Sequence, residues 1–210
     1  MKIKICGIRR EEDVRYLNEM LPDCAGFIFA DTKRKVTEDQ AALLKRQMDP
    51  RIQVFGVFVN APMETVASLA HKKIIDVIQL HGDETEEYIR AIRSMTEAPV
   101  IKAVRVKKRE DILLADRLPV DHLLLDTYHR GQYGGTGETF SWELIPEELQ
   151  HSYLLAGGLR TGNIRQALSA VEGKGLCIGV DVSGGVETDG VKDFEKIKIL
   201  IETVRSYRTQ

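Results

Sequence analysis

Two apolar runs in this 210-residue chain end in small, bare residues. One runs over residues 179–182 and breaks into Ser183-Gly184-Gly185, followed by Val-Glu-Thr-Asp-Gly, which reads as a turn. The other is Leu154-Leu155-Ala156, ending in Gly157-Gly158. Each reads as a short buried strand that leads into the start of a helix. Uncovered backbone N–H groups and a helix N-terminus both favour negative charge, so the pair suggests an anion cradle, with phosphate the natural occupant. A thiol and a carboxylate stand at comparable places: Cys6 closes the run 2–5, and Asp126 follows Leu123-Leu124-Leu125. Cys6 is either a reactive thiol or an inert core cysteine. Asp126 is either a catalytic carboxylate or a turn cap.

The elements that position these residues follow from periodicity. Apolar runs over 2–5, 24–30, 53–59, 76–80, 100–104, 122–125, 153–156 and 177–182 read as strands. Helical spacing or capping signals fill the intervals, over 10–21, 37–48, 62–71, 84–94, 108–117, 141–149, 161–171 and 191–207. Thr37 is the cap of the second helix, and Phe194, Ile197, Leu200, Ile201 and Val204 share one face of the last. The strands are continuous rather than alternating, so both faces are buried and the sheet is parallel. Eight such units in this length predict an α/β fold, a (β/α)8 TIM barrel forming a single domain over residues 1–210. The glycine-rich stretch 128–139 reads as an active-site loop rather than a linker.

Composition narrows the function. The chain is 43% hydrophobic and 30% charged, with a net charge of -2 from 30 basic and 32 acidic residues in mixed order. No basic stripe suggests nucleic acid, and attraction for phosphate must be local. Cys6, Cys24 and Cys177 are far apart and lack C-x-x-C spacing, which argues against disulfides and structural zinc and for a reducing cytoplasm. No apolar run approaches the roughly 18 residues of a membrane span, and no G-x-G-x-x-G follows the first strand. No metal, cofactor or membrane association is expected. The partner is a small molecule, and the chain is a monomer or homodimer.

Chemistry in such a barrel sits where strands run out at the C-terminal face. That rule selects Cys6, Asp31 with Arg34 beyond it, Asn60, His81, residues 102–105, Asp126, Gly157-Gly158 and Asp181-Ser183-Gly184. His81 is a substrate contact or a satisfied strand-end residue, Arg34 a binding group or solvated charge, and Lys102 points into either the barrel or the site. Cys24 and Cys177 lie within strands and read as structural.

The constellation resembles the phosphoribosylanthranilate isomerase family of tryptophan biosynthesis. The matching stretches are Lys4-Ile5-Cys6-Gly7-Ile8, Gly26-Phe27-Ile28-Phe29, Gly56-Val57-Phe58-Val59-Asn60, Gln79-Leu80-His81-Gly82 and Ile101-Lys102-Ala103. They continue with Leu124-Leu125-Asp126-Thr127, Gly134-Gly135-Thr136-Gly137, Leu155-Ala156-Gly157-Gly158-Leu159 and Val180-Asp181-Val182-Ser183-Gly184-Gly185-Val186-Glu187, in family order along the whole chain. The resemblance implies Cys6 as general base, Asp126 as general acid and Arg34 as the group that orients the anthranilate. It implies Gly157, Gly158, Ser183 and Gly184 as phosphate-binding, Asp181 as a sugar contact or orienting group, and His81 as a binder. Gly184 stands where the family has a second serine, and Thr32-Lys33-Arg34 where it has Ser-Pro-Arg or similar.

The implied reaction is an Amadori rearrangement of N-(5'-phosphoribosyl)anthranilate, with one acid, one base and no metal. Asp126 must carry a proton near neutrality, which apolar surroundings such as Leu123 to Leu125 would favour. Cys6 must be partly thiolate, with nearby positive charge from Arg34 or Lys102. Two other readings are the aminoaldose isomerase of histidine biosynthesis, whose family has Asp in place of Cys6, and a non-catalytic phosphosugar-binding barrel.

Overall fold

Strands apolar on both faces need cover on both, and here helices supply the outer cover while the strands' own side chains fill the inside. The computed structural model describes residues 1–127 and 139–207. Eight parallel strands close in sequence order: β1 (Lys2–Cys6), β2 (Cys24–Ile28), β3 (Gln53–Phe58), β4 (Val77–Leu80), β5 (Val100–Val106), β6 (His122–Thr127), β7 (Tyr153–Leu155) and β8 (Cys177–Val182). The barrel closes where β1 pairs with β8, with Lys4 opposite Asp181 and Ile5 opposite Val182.

Among the described residues the outer layer holds α1 (Glu11–Met20), α2 (Glu38–Gln47), α3 (Met63–His71), α4 (Glu86–Met95), α5 (Arg109–Ala115), α6 (Ile164–Ala170) and α7 (Phe194–Tyr207). Thr37 caps α2 as expected. Its hydroxyl accepts from the Gln40 backbone N–H at 3.2 Å, and the Gln40 side-chain oxygen accepts from the Thr37 N–H at 3.0 Å. Successive strand residues alternate between two cores. Leu123 and Leu125 join Ile5, Phe27, Ile89 and Leu200 between strands and helices, whereas Leu124 joins Phe55, Val77, Ile101 and Leu154 inside the barrel. No helix of the described residues is long and apolar enough to cross a membrane.

Two expected helices differ. Residues 141–149 hold only a 3-10 turn, Trp142–Leu144. Pro146 explains this: it has no N–H to give to a helix, and it forces Ile145 into an extended backbone, φ -70 and ψ 122. The closing helix starts at Phe194 rather than residue 191, because Val191 belongs to a small hairpin of β9 (Glu187–Thr188) and β10 (Val191–Lys192). The two turn residues, Asp189 and Gly190, both have positive φ, 51 and 77, as a tight Asp-Gly hairpin turn requires. Residues 128–138 of the expected active-site loop, with the motif Gly134-Gly135-Thr136-Gly137, lie outside the described residues.

Lys102 does not face the barrel cavity. Its ammonium donates to the Gly82 carbonyl at 2.7 Å and pairs with Glu84 Oε2 at 3.1 Å. Glu84 also accepts from the backbone N–H groups of Asn60 and Gly82, at 2.9 Å each, so it ties the ends of β3 and β4 together. Asn60 returns the tie by accepting from the Asp83 N–H at 2.8 Å. The Glu84→Ala substitution strands a buried ammonium and should cost about 3–5 kcal/mol in urea unfolding; a loss under about 1 kcal/mol would show that the pair does not brace the loops.

Candidate active site

The strand ends converge on a cavity of ≈ 520 Å³, lined by Cys6, Arg34, His81, Asp126, Gly157, Gly158, Asp181, Ser183 and Gly184 together with residues such as Ile28, Val57, Gln79 and Glu187. The nine residues that the family resemblance assigns a role therefore reach one space, although they come from the ends of β1, β4, β6, β7 and β8 and the loop after β2, whereas Asp31, Asn60 and residues 102–105, also selected at strand ends, do not line it.

Cys6 is the last residue of β1 and is buried. Its sulfur occupies space that Gly26 leaves open on β2, since a Cβ at position 26 would lie 2.7 Å from Sγ. Burial pushes the Cys6 thiol up, Lys4 and Lys192 pull it down, and Asp181 adds to the rise. The net direction is upward, opposite to the expectation. The source of positive charge also differs: Lys102 is turned away, and Lys4 and Lys192 are the lysines that act on the sulfur, while Arg34 senses it as well.

Asp126 has polar partners instead of an apolar wall. Its Oδ1 accepts from the Thr127 backbone N–H at 2.8 Å, and its Oδ2 lies 3.0 Å from His81 Nε2. Of the three leucines before it, only Leu124 shares the barrel interior. The Gln79 amide nitrogen lies 2.9 Å from His81 Nδ1, so Gln79, His81 and Asp126 form a buried chain in which the imidazole bridges amide and carboxylate. Gln79 and His81 share a face of the barrel by the two-residue strand period. Gly157 backs Asp126 from β7. Its φ is +80, and a Cβ there would collide with the Thr127 hydroxyl and lie 3.0 Å from Asp126 Oδ1.

On the other side of the cavity the Ser183 hydroxyl donates to the Cys6 carbonyl at 3.1 Å. With its proton committed there, an anion at this loop must be met by backbone N–H groups. The N–H groups that open the 3-10 turn Gly184–Val186 have no partner within that turn. A Cβ at position 184 meets only Arg34, at 3.4 Å, an ordinary contact, so a serine hydroxyl fits there without being required.

Arg34 is held in a bidentate fork by Glu187, Nε to Oε1 and NH2 to Oε2, both at 2.8 Å. Lys192, itself buried, donates to the same Glu187 Oε1 at 2.7 Å and to the Ser183 carbonyl at 3.0 Å. Burial opposes the Glu187 carboxylate, but Arg34 and Lys192 more than compensate and hold its pKa down at about 2. Asp181 pairs with Lys4 at 3.0 Å, and its Oδ1 has no hydrogen-bond partner among the described residues. Sequence reasoning missed Glu187, Lys192, Lys4 and Gln79 as members of the site. The Asp-Gly turn was the available signal for the first two, since it fixes Lys192 opposite Glu187.

Fold and cavity together define a (β/α)8 barrel enzyme with its chemistry at the C-terminal ends of the strands. Residues 3–203 match the family described as N-(5'phosphoribosyl)anthranilate (PRA) isomerase, and the chain belongs to that family. The relative from Thermoanaerobacter pseudethanolicus, named N-(5'-phosphoribosyl)anthranilate isomerase, is 44% identical over 209 residues, covering 99% of this chain and 100% of its own. The crystal structure of the Thermotoga maritima phosphoribosyl anthranilate isomerase superposes with a TM-score of 0.86 at 33% identity, over 98% of this chain and 99% of that one. Another solved isomerase, at 32% identity, TM-score 0.84 and the same coverage, holds reduced 1-(o-carboxyphenylamino)-1-deoxyribulose 5-phosphate.

The Glu187 pKa makes stability pH-dependent in a definite direction. A carboxylate held below its unfolded value of about 4.3 contributes stability that is present above that pH. The contribution is lost as pH falls through about 2. Acid titration of folding should show this decline between about pH 4 and pH 2, and Glu187→Gln should flatten it; an unchanged slope in the variant would contradict the assignment.

Proposed function

We propose that residues 1–210 act as one catalytic domain for the Amadori rearrangement of N-(5'-phosphoribosyl)anthranilate to 1-(2-carboxyphenylamino)-1-deoxyribulose 5-phosphate, with Cys6 as general base and Asp126 as general acid. The observation that carries this reading is that a thiol from β1 and a carboxylate from β6 enter one cavity, with the glycine-ended tips of β7 and β8 between them. The compound bound in the solved relative has the matching parts: a phosphate, an open ribulose chain and a carboxyphenyl amine.

The phosphate is met by the backbone at Gly157-Gly158 and Ser183-Gly184. The anthranilate extends toward Arg34, whose NH1 side is left free of Glu187. Asp126 protonates the ribose ring oxygen and the C1′–O bond breaks, leaving a Schiff base between C1′ and the aryl nitrogen. Cys6 removes the C2′ proton, and the electron pair moves through C1′ to nitrogen, giving an enolamine. Tautomerisation to the ketone returns a proton to C1′. Asp181, with an uncommitted oxygen beside the cavity, contacts the sugar. His81, 3.0 Å from Asp126 Oδ2, lines the same wall. Anchoring the remote phosphate contributes binding energy that keeps C2′ near the base. Free thiols at Cys6, Cys24 and Cys177 suit a reducing cytoplasm.

Cys6→Ala and Asp126→Asn should each lower kcat by about 10²–10⁴-fold, followed through loss of anthranilate fluorescence. Near wild-type turnover in both would refute the roles. Inorganic phosphate at millimolar concentration should compete with substrate. Gly184→Ser should change its affinity by no more than about 1 kcal/mol, the net worth of one hydrogen bond; a larger gain would mean that a hydroxyl, not the backbone, dominates there.

A further inference from the structure

A thiol acting as base at neutral pH needs a cation to offset its burial. The charged groups facing Cys6 are Lys4 on its own strand, Asp181 on β8, Lys192 on β10 and Arg34 after β2. Lys192 and Arg34 are both committed to Glu187. Lys4 is placed differently. It precedes Cys6 by two residues on β1, so both side chains enter the barrel. Two residues of strand span about 6.6 Å, within reach of a lysine stem.

The Lys4 side chain is wholly buried. Its ammonium lies 3.0 Å from Asp181 Oδ2 and 5.2 Å from the centre of the Phe55 ring. Beyond this ion pair it makes no hydrogen bond of good geometry among the described residues. Leaving an ammonium so placed is costly unless a second anion shares it. The interaction runs both ways: burial lowers the Lys4 ammonium, but Asp181 and then Cys6 raise it above its ordinary value.

We propose that Lys4 is the positioning residue that stabilises the Cys6 thiolate when it forms, an ammonium–thiolate pair on one face of β1 that Asp181 moderates. The catalytic consequence rests on Cys6 being the base, but the pair itself is measurable without turnover. The probe is the pH dependence of iodoacetamide alkylation at Cys6, read by mass spectrometry of the peptide that carries it, so that Cys24 and Cys177 do not contribute.

Asp181→Asn should move the alkylation midpoint down, because it removes a negative neighbour. Adding Lys4→Met in that background should move it up by about one to three pH units, the range for an opposite charge within a few ångströms. Alkylation at pH 7 then falls at least about tenfold, with the plateau rate at high pH unchanged. The double variant buries no unpaired charge, so the comparison holds even if Lys4→Met alone does not fold. The low-pH limb of kcat/KM should shift with the alkylation midpoint. Equal midpoints with and without Lys4, or a lower plateau with no shift, would overturn the proposal. A shifted midpoint in an enzyme whose Cys6→Ala variant still turns over would leave the pair standing and remove Cys6 as base.

Discussion

Closure of β1 against β8 is the contact on which the rest of the structure depends. It joins residues almost the full chain length apart and sets Lys4 beside Asp181. The same closure lets the Ser183 hydroxyl reach the Cys6 carbonyl. Cys6, its neighbouring ammonium and the Ser183 loop are thus fixed by a single register. A slip of one residue would turn Lys4, Cys6 and Asp181 toward the helices and bring Ile3 and Ile5 inside. The buried charges make that register costly to change, since each is tolerable only beside its partner.

A second tie crosses the mouth of the cavity. Glu187 holds Arg34 and Lys192 together, and Lys192 continues to the Ser183 carbonyl. The loop after β2 is fixed by this long-range fork. The carboxylate sits between two cations, so the cluster keeps a net positive charge. In a chain whose overall charge is -2, local charge of this kind is what an anionic ligand meets.

Much of this was legible in the sequence because a parallel barrel advertises itself. Each strand is an apolar run, and each run ends in a polar or small residue that must face the mouth. Cys6, Asp126, His81 and the glycine pairs all line the cavity, whereas Asp31, Asn60 and residues 102–105, which the same rule selects, do not. What the sequence did not show were pairings made by folding. His81 and Asp126 are 45 residues apart, and Arg34 and Glu187 are 153 apart. Alternation along β6 also mattered: three leucines precede Asp126, yet two of them face the helices. The helix expected over 141–149 failed for a local reason, Pro146, which an apolar-periodicity argument underweights. Lys4 drew no site role from the sequence, and the barrel buries it completely.

The central claim is that one thiol and one carboxylate address a sugar from different sides while the tips of β7 and β8 hold its phosphate. A crystal structure of this chain with reduced 1-(o-carboxyphenylamino)-1-deoxyribulose 5-phosphate, the compound held by a solved relative, tests it most directly. The account predicts the phosphate on the backbone of Gly158 and Gly184, the carboxyphenyl group against Arg34, and Cys6 Sγ near C2′ with Asp126 on the opposite side. A ligand with its phosphate elsewhere, or with C2′ out of reach of Cys6, would contradict it.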